Sequence, residues 1–508
     1  MSDGSGAPLS LTKIIATLGP ASDSPEIMRR LVECGVNVFR LNFSHGDERD
    51  HARRLQRIRQ ISDEIGRPVA VLGDLPGPKI RVGQVPGYGI EVKAGDEIAF
   101  RSDLQTARTG TPPVFPCTYD RLVEEVEPGH RVLLADGVIR ALAVERVSAD
   151  DGAVELRCHV TAGGTISTGK GVNLPDSDIS VPAITERDWR WVDWAFEHGV
   201  DYLALSFVRR AAEIRELKTR LTELSADIIK PGESREPHIP IVAKIEKPQA
   251  VRNIDEIVAE ADAIMVARGD LGVEMDLAYV PVTQKKLIAA AHLQGRPVIV
   301  ATQMLETMIE TSTPTRAEVS DVANAIFDEA DAVMLSGETA IGKYPSLAVE
   351  TMRRIAVATE SRLRELSEGS QPPQRLVAQR SPLAALALGA WHVAQTADAS
   401  VAVCWSQSGG TARHLSQMGF RIPIVAFSSD PLAVRRMCLL YGVVPVIETN
   451  PPLHRSDFGM MIEKLLLERG WGKRGEMYVA LAGKPFGTPG VVNTLALRRL
   501  GNLSTAPA

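Results

Sequence analysis

Ile239-Pro-Ile-Val-Ala-Lys-Ile-Glu246 and, one helical stretch later, Ala263-Ile-Met-Val-Ala-Arg-Gly-Asp270 decide the fold. Both are near-continuously apolar and then finish in charged residues. A strand buried on both faces reads this way in a parallel sheet with helical crossovers. Pro297–Leu305 and Ala332–Thr339 repeat the pattern downstream; Lys13–Pro20, Val36–Ser44, Val69–Gly77 and Tyr202–Val208 repeat it upstream. The segments between them are helical in pattern: Glu26–Cys34 stops at Gly35, and Thr185–His198 stops at Gly199. Eight such units predict a closed (β/α)8 TIM barrel of the α/β class.

Between the third and fourth runs the texture changes. Segment 79–182 holds strand-like stretches at Glu91–Arg101, His130–Arg146 and Val154–Thr161, broken by Gly, Pro and Asp-Gly turns. It predicts an all-β lid hung from the loop after the third strand. Residues 356–380 are charged and helical, then Gln- and Pro-bearing. A fresh alternation follows: helix Leu383–Ala394 and strands Ser400–Trp405, Ile424–Phe427, Val443–Glu448 and Met477–Ala482. That predicts an open α/β sheet. The expected division is a barrel from 11–78 and 183–355, a lid from 79–182 and a C-terminal α/β domain from 356–508.

The composition narrows function. In 508 residues, 57 Lys and Arg face 63 Asp and Glu, a net charge of −6. No chain-wide basic field for nucleic acid exists, whereas a small anionic substrate needs only a few local cations. No apolar run reaches the length of a membrane span. Met1–Ser10 lacks the basic and apolar regions of a signal peptide. The cysteines (Cys34, Cys117, Cys158, Cys404, Cys438) are odd in number and form no CxxC, which points to a reducing cytoplasm.

In a barrel of this kind the active site lies at the C-terminal ends of the strands. Strand alternation places Arg40, Asn42 and Ser44 on one face, and likewise Lys244 with Glu246 and Arg268 with Asp270. Ordinary ion pairs and caps would explain any one pair. Charge at nearly every strand end is costly without a purpose. Glu246 and Asp270 suit an oxygen-coordinated divalent ion, Mg²⁺ or Mn²⁺, and no His/Cys cluster competes for zinc. Arg40, Lys79, Arg81, Lys244 and Arg268 add the positive charge that neutralises a transferring phosphoryl group. Thr302 offers a neutral hydroxyl. No GxxxxGK[ST] loop occurs; Gly169-Lys170-Gly171 is a solvated turn by itself and a candidate phosphate contact if carried on a lid.

KIIATLGPAS, RLNFSHG, KIE, MVARGDLGVE, ATQMLE, PTRAEVSDVANA and MLSGETA occur in this order. Together they closely resemble the pyruvate kinase family, from Leu11 to Leu500. The resemblance implies phosphoryl transfer from phosphoenolpyruvate to ADP, giving pyruvate and ATP. It implies that Lys244 stabilises the transferring group, that Glu246 and Asp270 ligate Mg²⁺, and that Gly269 and Thr302 hold the substrate carboxylate. Arg40 would bridge substrate and nucleotide. Arg81 and Lys170 would contact nucleotide phosphates, and Thr17, Pro20, Asn42 and His45 would form the nucleotide-side wall.

Many members of that family need K⁺, whose ligands match Asn42, Ser44, Asp74 and the Leu75 carbonyl. Those members read Asp-Thr-Lys-Gly-Pro-Glu where this chain reads Asp74-Leu-Pro-Gly-Pro-Lys79. An ammonium at Lys79 would substitute for the ion, predicting a K⁺-independent enzyme; the plain alternative is that Lys79 makes a surface pair.

Ser406, Ser408, Gly409, Gly410 and Thr411 follow a strand and open a helix. This is either an ordinary Gly turn or a phosphate site. The resemblance implies a sugar-phosphate or nucleotide effector here, with 483–490 as a second loop. Thr315 and Glu318 have capping-box spacing; the resemblance places this region near a subunit interface and implies a homotetramer. Trp189, Trp191 and Trp194 read as packing. Two other functions stay open from the residues: a Mg²⁺-dependent aldolase or lyase acting on pyruvate enolate, and a non-catalytic phosphometabolite sensor.

Overall fold

The computed structural model describes residues 9–226, 239–366, 381–483 and 485–501. The readings on Met1–Pro8, on 367–380, on Lys484 and on 502–508 lie outside the described residues.

All eight apolar runs form parallel strands: Lys13–Thr17, Val38–Asn42, Ala70–Asp74, Tyr202–Leu205, Ile241–Ile245, Ala263–Ala267, Val298–Ala301 and Ala332–Leu335. They close in chain order, the last strand pairing with the first in the register Lys13 to Ala332. Alternation explains why the runs are apolar throughout. Ile15, Val38, Leu72, Val242, Met265, Ile299 and Met334 fill the barrel interior. Ile14, Phe39, Val71, Ile241, Ile264, Val300 and Val333 pack outward against the helices. Arg40, Asn42, Asp74 and Lys244 lie within the last residues of their strands, and the remaining polar tails are loops or helix starts at the same mouth of the barrel.

The crossover helices begin and end where local chemistry directs. The Ser24 side chain caps Pro25–Cys34, and Gly35 at φ 127° ends it. Thr185 and Asp188 form a capping box for Glu186–Glu197. The Thr315–Glu318 box opens Arg316–Phe327 as expected. Trp191 stacks on Phe43 at 4.4 Å, with Trp194 edge-on, so these rings pack behind the second strand's end.

The insert forms a six-stranded sheet and a two-stranded one. Its strand boundaries differ from expectation. Glu91–Arg101 is two strands, Ile90–Val92 and Glu97–Arg101, parted by a turn at Gly95 (φ 97°). His130–Arg146 is a hairpin of Arg131–Leu134 with Ile139–Ser148, turning through Ala135 and Asp136, both at positive φ. The Arg209 guanidinium ties the insert's exit to the barrel by donating to the carbonyls of Ile179 (2.6 Å) and Val181 (2.7 Å).

The C-terminal sheet has five strands, ordered Val443–Ile447, Ile424–Ser428, Val401–Trp405, Met477–Ala482 and Thr494–Arg499. The last is antiparallel and was not expected; its alternating, half-exposed pattern suits an edge strand rather than a buried one. A short turn, Met437–Leu439, sends Cys438 and Leu439 into the barrel-interior cluster from below. Among the described residues no helix is long and apolar enough to cross a membrane.

Candidate active site

Five strands deliver one charged network to the barrel mouth. Asp74, at the end of the third strand, takes Arg40 Nε on Oδ2 at 2.6 Å and Lys244 Nζ at 3.3 Å from Oδ1. Arg40 also donates through Nη1 to Thr17 Oγ1 (3.1 Å). Lys244 Nζ lies 3.0 Å from Glu246 Oε1 and donates to Ser206 Oγ at 2.7 Å. Asn42 is the register partner of Asp74 on the neighbouring strand.

The electrostatics follow from this packing. Burial alone would raise the Asp74 carboxyl, but Lys244 and Arg40 outweigh it and hold the pKa below the usual value. Burial opposes the Lys244 charge, yet Asp74 and Glu246 keep the ammonium pKa above its ordinary range. Glu246 goes the other way: burial, then the Asp270 charge, raise it despite Lys244. Glu246 is therefore a carboxylate short of positive charge. Among the described residues nothing hydrogen-bonds or ion-pairs with the Asp270 carboxylate. Two oxygen donors with that deficit fit a hard divalent cation completed by substrate and water oxygens. No group of three His, Cys, Asp or Glu competes among the described residues.

The alternation argument fails at Arg268. The sixth strand ends at Ala267, and Arg268–Glu274 is a helix, so Arg268, Gly269 and Asp270 fan around its first turn. Arg268 turns away from Asp270 and pairs with Asp321 at 2.7 Å. Its Nη2 donates to the carbonyls of Thr302 (3.0 Å) and Gln303 (3.3 Å). Those residues sit at φ 68° and 55°, strained values for any side chain. Arg268 thus braces the Thr302 turn instead of adding charge to the mouth. Gly269 N donates to Thr302 Oγ1 at 2.6 Å, and a Cβ at Gly269 would come within 3.2 Å of that oxygen.

The remaining expected residues are distributed around the rim. Pro20 opens a short helix and is exposed, as are Ser44 and His45. His51 is buried, which lowers its pKa, and its Nε2 meets the His45 carbonyl at 2.8 Å. Asn42 Oδ1 accepts from Ser44 N at 3.1 Å. Arg81 and Lys170 come together on the lid: Arg81 Nη1 donates to Gly169 O at 2.8 Å, and Lys170 O accepts from Val82 N at 2.8 Å. Both side chains are exposed. Lys79 is exposed as well; its ammonium pairs with no carboxylate among the described residues. It lines, with Asp136, Gly171, Phe207, Lys247 and Asp270, a narrow cleft between lid and barrel.

In the C-terminal sheet, Gly409 at φ 88° caps the helix Gly410–Gln417. The Ser406 hydroxyl is spent on that cap, accepting from Ala412 N at 3.1 Å. Thr411 is buried, while Ser408 is exposed. A Cβ on Gly487, in the second loop, would lie 4.0 Å from Gln407 Oε1, so the two loops are neighbours.

The sequence sets Ser206 among the polar residues at the end of the fourth run, with no role of its own; in the structure it directly follows the fourth strand and is the shortest contact of Lys244. Its position at a strand end was the one available signal.

A family model described as pyruvate kinase, barrel domain, matches residues 9–349, and one described as pyruvate kinase, alpha/beta domain, matches 384–497. The curated pyruvate kinase of Mycobacterium intracellulare is 42% identical over 495 residues, covering 96% of this chain and 98% of its own. That of Mycobacterium tuberculosis is 41% identical over 491 residues, covering 96% and 98%. That of Geobacillus stearothermophilus is 39% identical over 498 residues, covering 97% and 81%. The chain belongs to the pyruvate kinase family.

Proposed function

We infer that this chain transfers the phosphoryl group of phosphoenolpyruvate to ADP, giving pyruvate and ATP, the last step of glycolysis. The observation that carries the reading is the Lys244 ammonium, 3.0 Å from Glu246 and 3.3 Å from the Asp74 carboxylate that also holds Arg40. In the transfer, the bond from phosphorus to the enol oxygen breaks and one to a terminal ADP oxygen forms. Charge spreads over the three peripheral phosphoryl oxygens, where Lys244 and Arg40 stabilise it. Glu246 and Asp270 would hold the divalent ion, Mg²⁺ or Mn²⁺, which when bound supplies further charge neutralisation at substrate oxygens. Gly269 N and the Thr302 hydroxyl orient the substrate carboxylate. The enolate left behind takes a proton at its terminal carbon, on the Thr302 side, and becomes pyruvate.

Arg81 and Lys170 bring positive charge from the lid to the nucleotide phosphates, and Thr17, Pro20, Asn42 and His45 form the nucleotide's wall. Thr17 contributes by orienting Arg40. Lid residues over the mouth keep water from the phosphoryl donor. The exposed Lys79 replaces by its charge the monovalent cation whose ligands in other members match Asn42, Ser44, Asp74 and the Leu75 carbonyl, so K⁺ is not required. The division into 11–78 with 183–355, 79–182 and 356–508 gives the lid and the C-terminal part separate roles. A sugar phosphate or nucleotide binds as effector at Ser406, Ser408, Gly409, Gly410 and Thr411. Exposed Leu277 (69%), Tyr279 (62%) and Ile341 (63%) favour association with further copies, as a homotetramer. Five buried free cysteines fit a cytoplasmic setting.

A coupled assay tests the activity. Pyruvate should form from phosphoenolpyruvate only when ADP is present, and Lys244→Met should abolish it. Aldol cleavage without ADP would establish the lyase instead, and phosphoenolpyruvate binding without turnover would establish the sensor.

A further inference from the structure

The Lys244 ammonium has three N–H donors and three acceptors: Ser206 Oγ at 2.7 Å, Glu246 Oε1 at 3.0 Å and Asp74 Oδ1 at 3.3 Å. The two carboxylates have other commitments. Asp74 is held by Arg40 at 2.6 Å. Glu246 is an expected metal ligand, and its lone pairs are drawn away from Lys244 whenever it ligates an ion. Ser206 has no such competitor. It is 2% exposed; its single proton faces the Leu75 carbonyl at 2.7 Å, much nearer than Asp74 Oδ1 at 3.4 Å, which leaves its lone pairs for the ammonium.

The backbone reinforces this geometry. Phe207 follows at φ 55°, in the left-handed region, and its N–H donates to Glu246 Oε2 at 2.8 Å. One turn therefore grips the lysine through a hydroxyl and the glutamate through an amide. Gly77 (φ 67°) allows the turn to sit there: a Cβ at that position would come within 2.8 Å of Phe207 Cδ2 and 3.1 Å of Ser206 Cβ.

We propose that Ser206 is a positioning residue for Lys244, the neutral anchor that keeps the ammonium in place when Glu246 is engaged elsewhere. The proposal rests on the phosphoryl-transfer reading for its kinetic consequence, and on the hydrogen bonds alone for its effect on the lysine.

Two measurements test it. The first is steady-state kinetics of Ser206→Ala and of Ser206→Cys, which keeps the volume but is a poor acceptor. Losing one charge-assisted hydrogen bond should lower kcat roughly 10- to 100-fold. KM for phosphoenolpyruvate should stay within about 3-fold, because an interaction that matters in the transition state is lost rather than uniform binding. The second is the crystal structure of metal-free Ser206→Ala, in which the Lys244 side chain should leave the position it holds against Ser206. A kcat within about 2-fold of wild type in both variants, or a loss confined to KM, overturns the proposal. So does a Lys244 side chain that keeps its wild-type position in Ser206→Ala. Wild-type protein that makes no pyruvate refutes the phosphoryl-transfer reading, while the position of Lys244 still decides the role of Ser206.

Discussion

Both ends of the barrel bury carboxylates, and they treat them differently. At the lower end, Asp331 takes Val298 N (2.8 Å), His292 Nε2 (3.1 Å) and Gln417 Nε2 (3.0 Å). Asp201 takes Val71 N (2.8 Å), Arg59 (2.8 Å) and Arg435 (2.7 Å). Glu360 takes the amides of Leu11 (2.9 Å) and Thr12 (2.7 Å) and the Ser10 hydroxyl (3.1 Å). Each lower carboxylate is saturated by the protein, and Gln417 and Arg435 bind the C-terminal part to the barrel while doing it. At the mouth, Asp270 has no such partner among the described residues, and Glu246 is short of positive charge. Buried charge alone therefore does not mark a site. What marks it is charge whose coordination the protein leaves open for something else.

The contrast can be broken or sharpened. The largest effect belongs to Lys244→Met, which should cut kcat per folded molecule by ~10³-fold or more, about 4 kcal/mol of transition-state stabilisation, and should also lower the denaturant midpoint because Asp74 and Glu246 lose their buried cation. Asp201→Ala should spare catalysis. It leaves Arg59, Arg435 and an amide without their acceptor and should cost about 3–5 kcal/mol in urea unfolding, with activity per folded molecule unchanged. Were Asp201→Ala to lower kcat at full folding, the two ends would not be separable in this way.

Lys13 gives the third effect. Its Nζ donates to the Val443 carbonyl at 2.6 Å, and burial lowers its pKa from 10.5 to about 8. Below pH 8 the lysine is charged in both states and the cost of burying it is fully present. Between about 8 and 10.5 the folded form loses its proton first, so stability rises with pH. Wild type should accordingly gain on Lys13→Met across that window, by on the order of 3 kcal/mol; a flat difference would place the charge in a wetter setting. The smallest effect is at Lys79. Wild type should run at full rate in K⁺-free buffer, while Lys79→Glu should lose about 10-fold and recover it with added K⁺. A wild-type enzyme strongly activated by K⁺ refutes the substitution.

Much of this architecture was legible because it rests on patterns that repeat. A strand buried on both faces has to be apolar throughout, so all eight barrel strands stand out in the chain. Thr494–Arg499 did not, because an edge strand with one wet face looks like a loop with hydrophobic residues in it. Glu91–Arg101 looked continuous because the turn at Gly95 interrupts it by only a few residues. At the site, Lys244 and Glu246 follow strand alternation. Arg268 departs from it because a helix begins at Arg268 itself, where strand alternation would run on to Asp270, and no periodicity announces that. Ser206 carries no charge and belongs to no spacing, so only the folded structure reveals that it touches the lysine.

The five cysteines have a practical consequence. All are buried: Cys34 in the barrel's helical layer, Cys117 and Cys158 in the core of the insert, Cys404 in the C-terminal sheet. Burial pushes the thiols of Cys117 to about 11 and of Cys158 and Cys438 to about 12, so they are inert at neutral pH. Cys438 differs in place, since it enters the barrel interior from the C-terminal part. Pulsed alkylation during unfolding would thus time the opening of each part with its own native reporter. Cys438 alone would report the moment the C-terminal part lets go of the barrel floor.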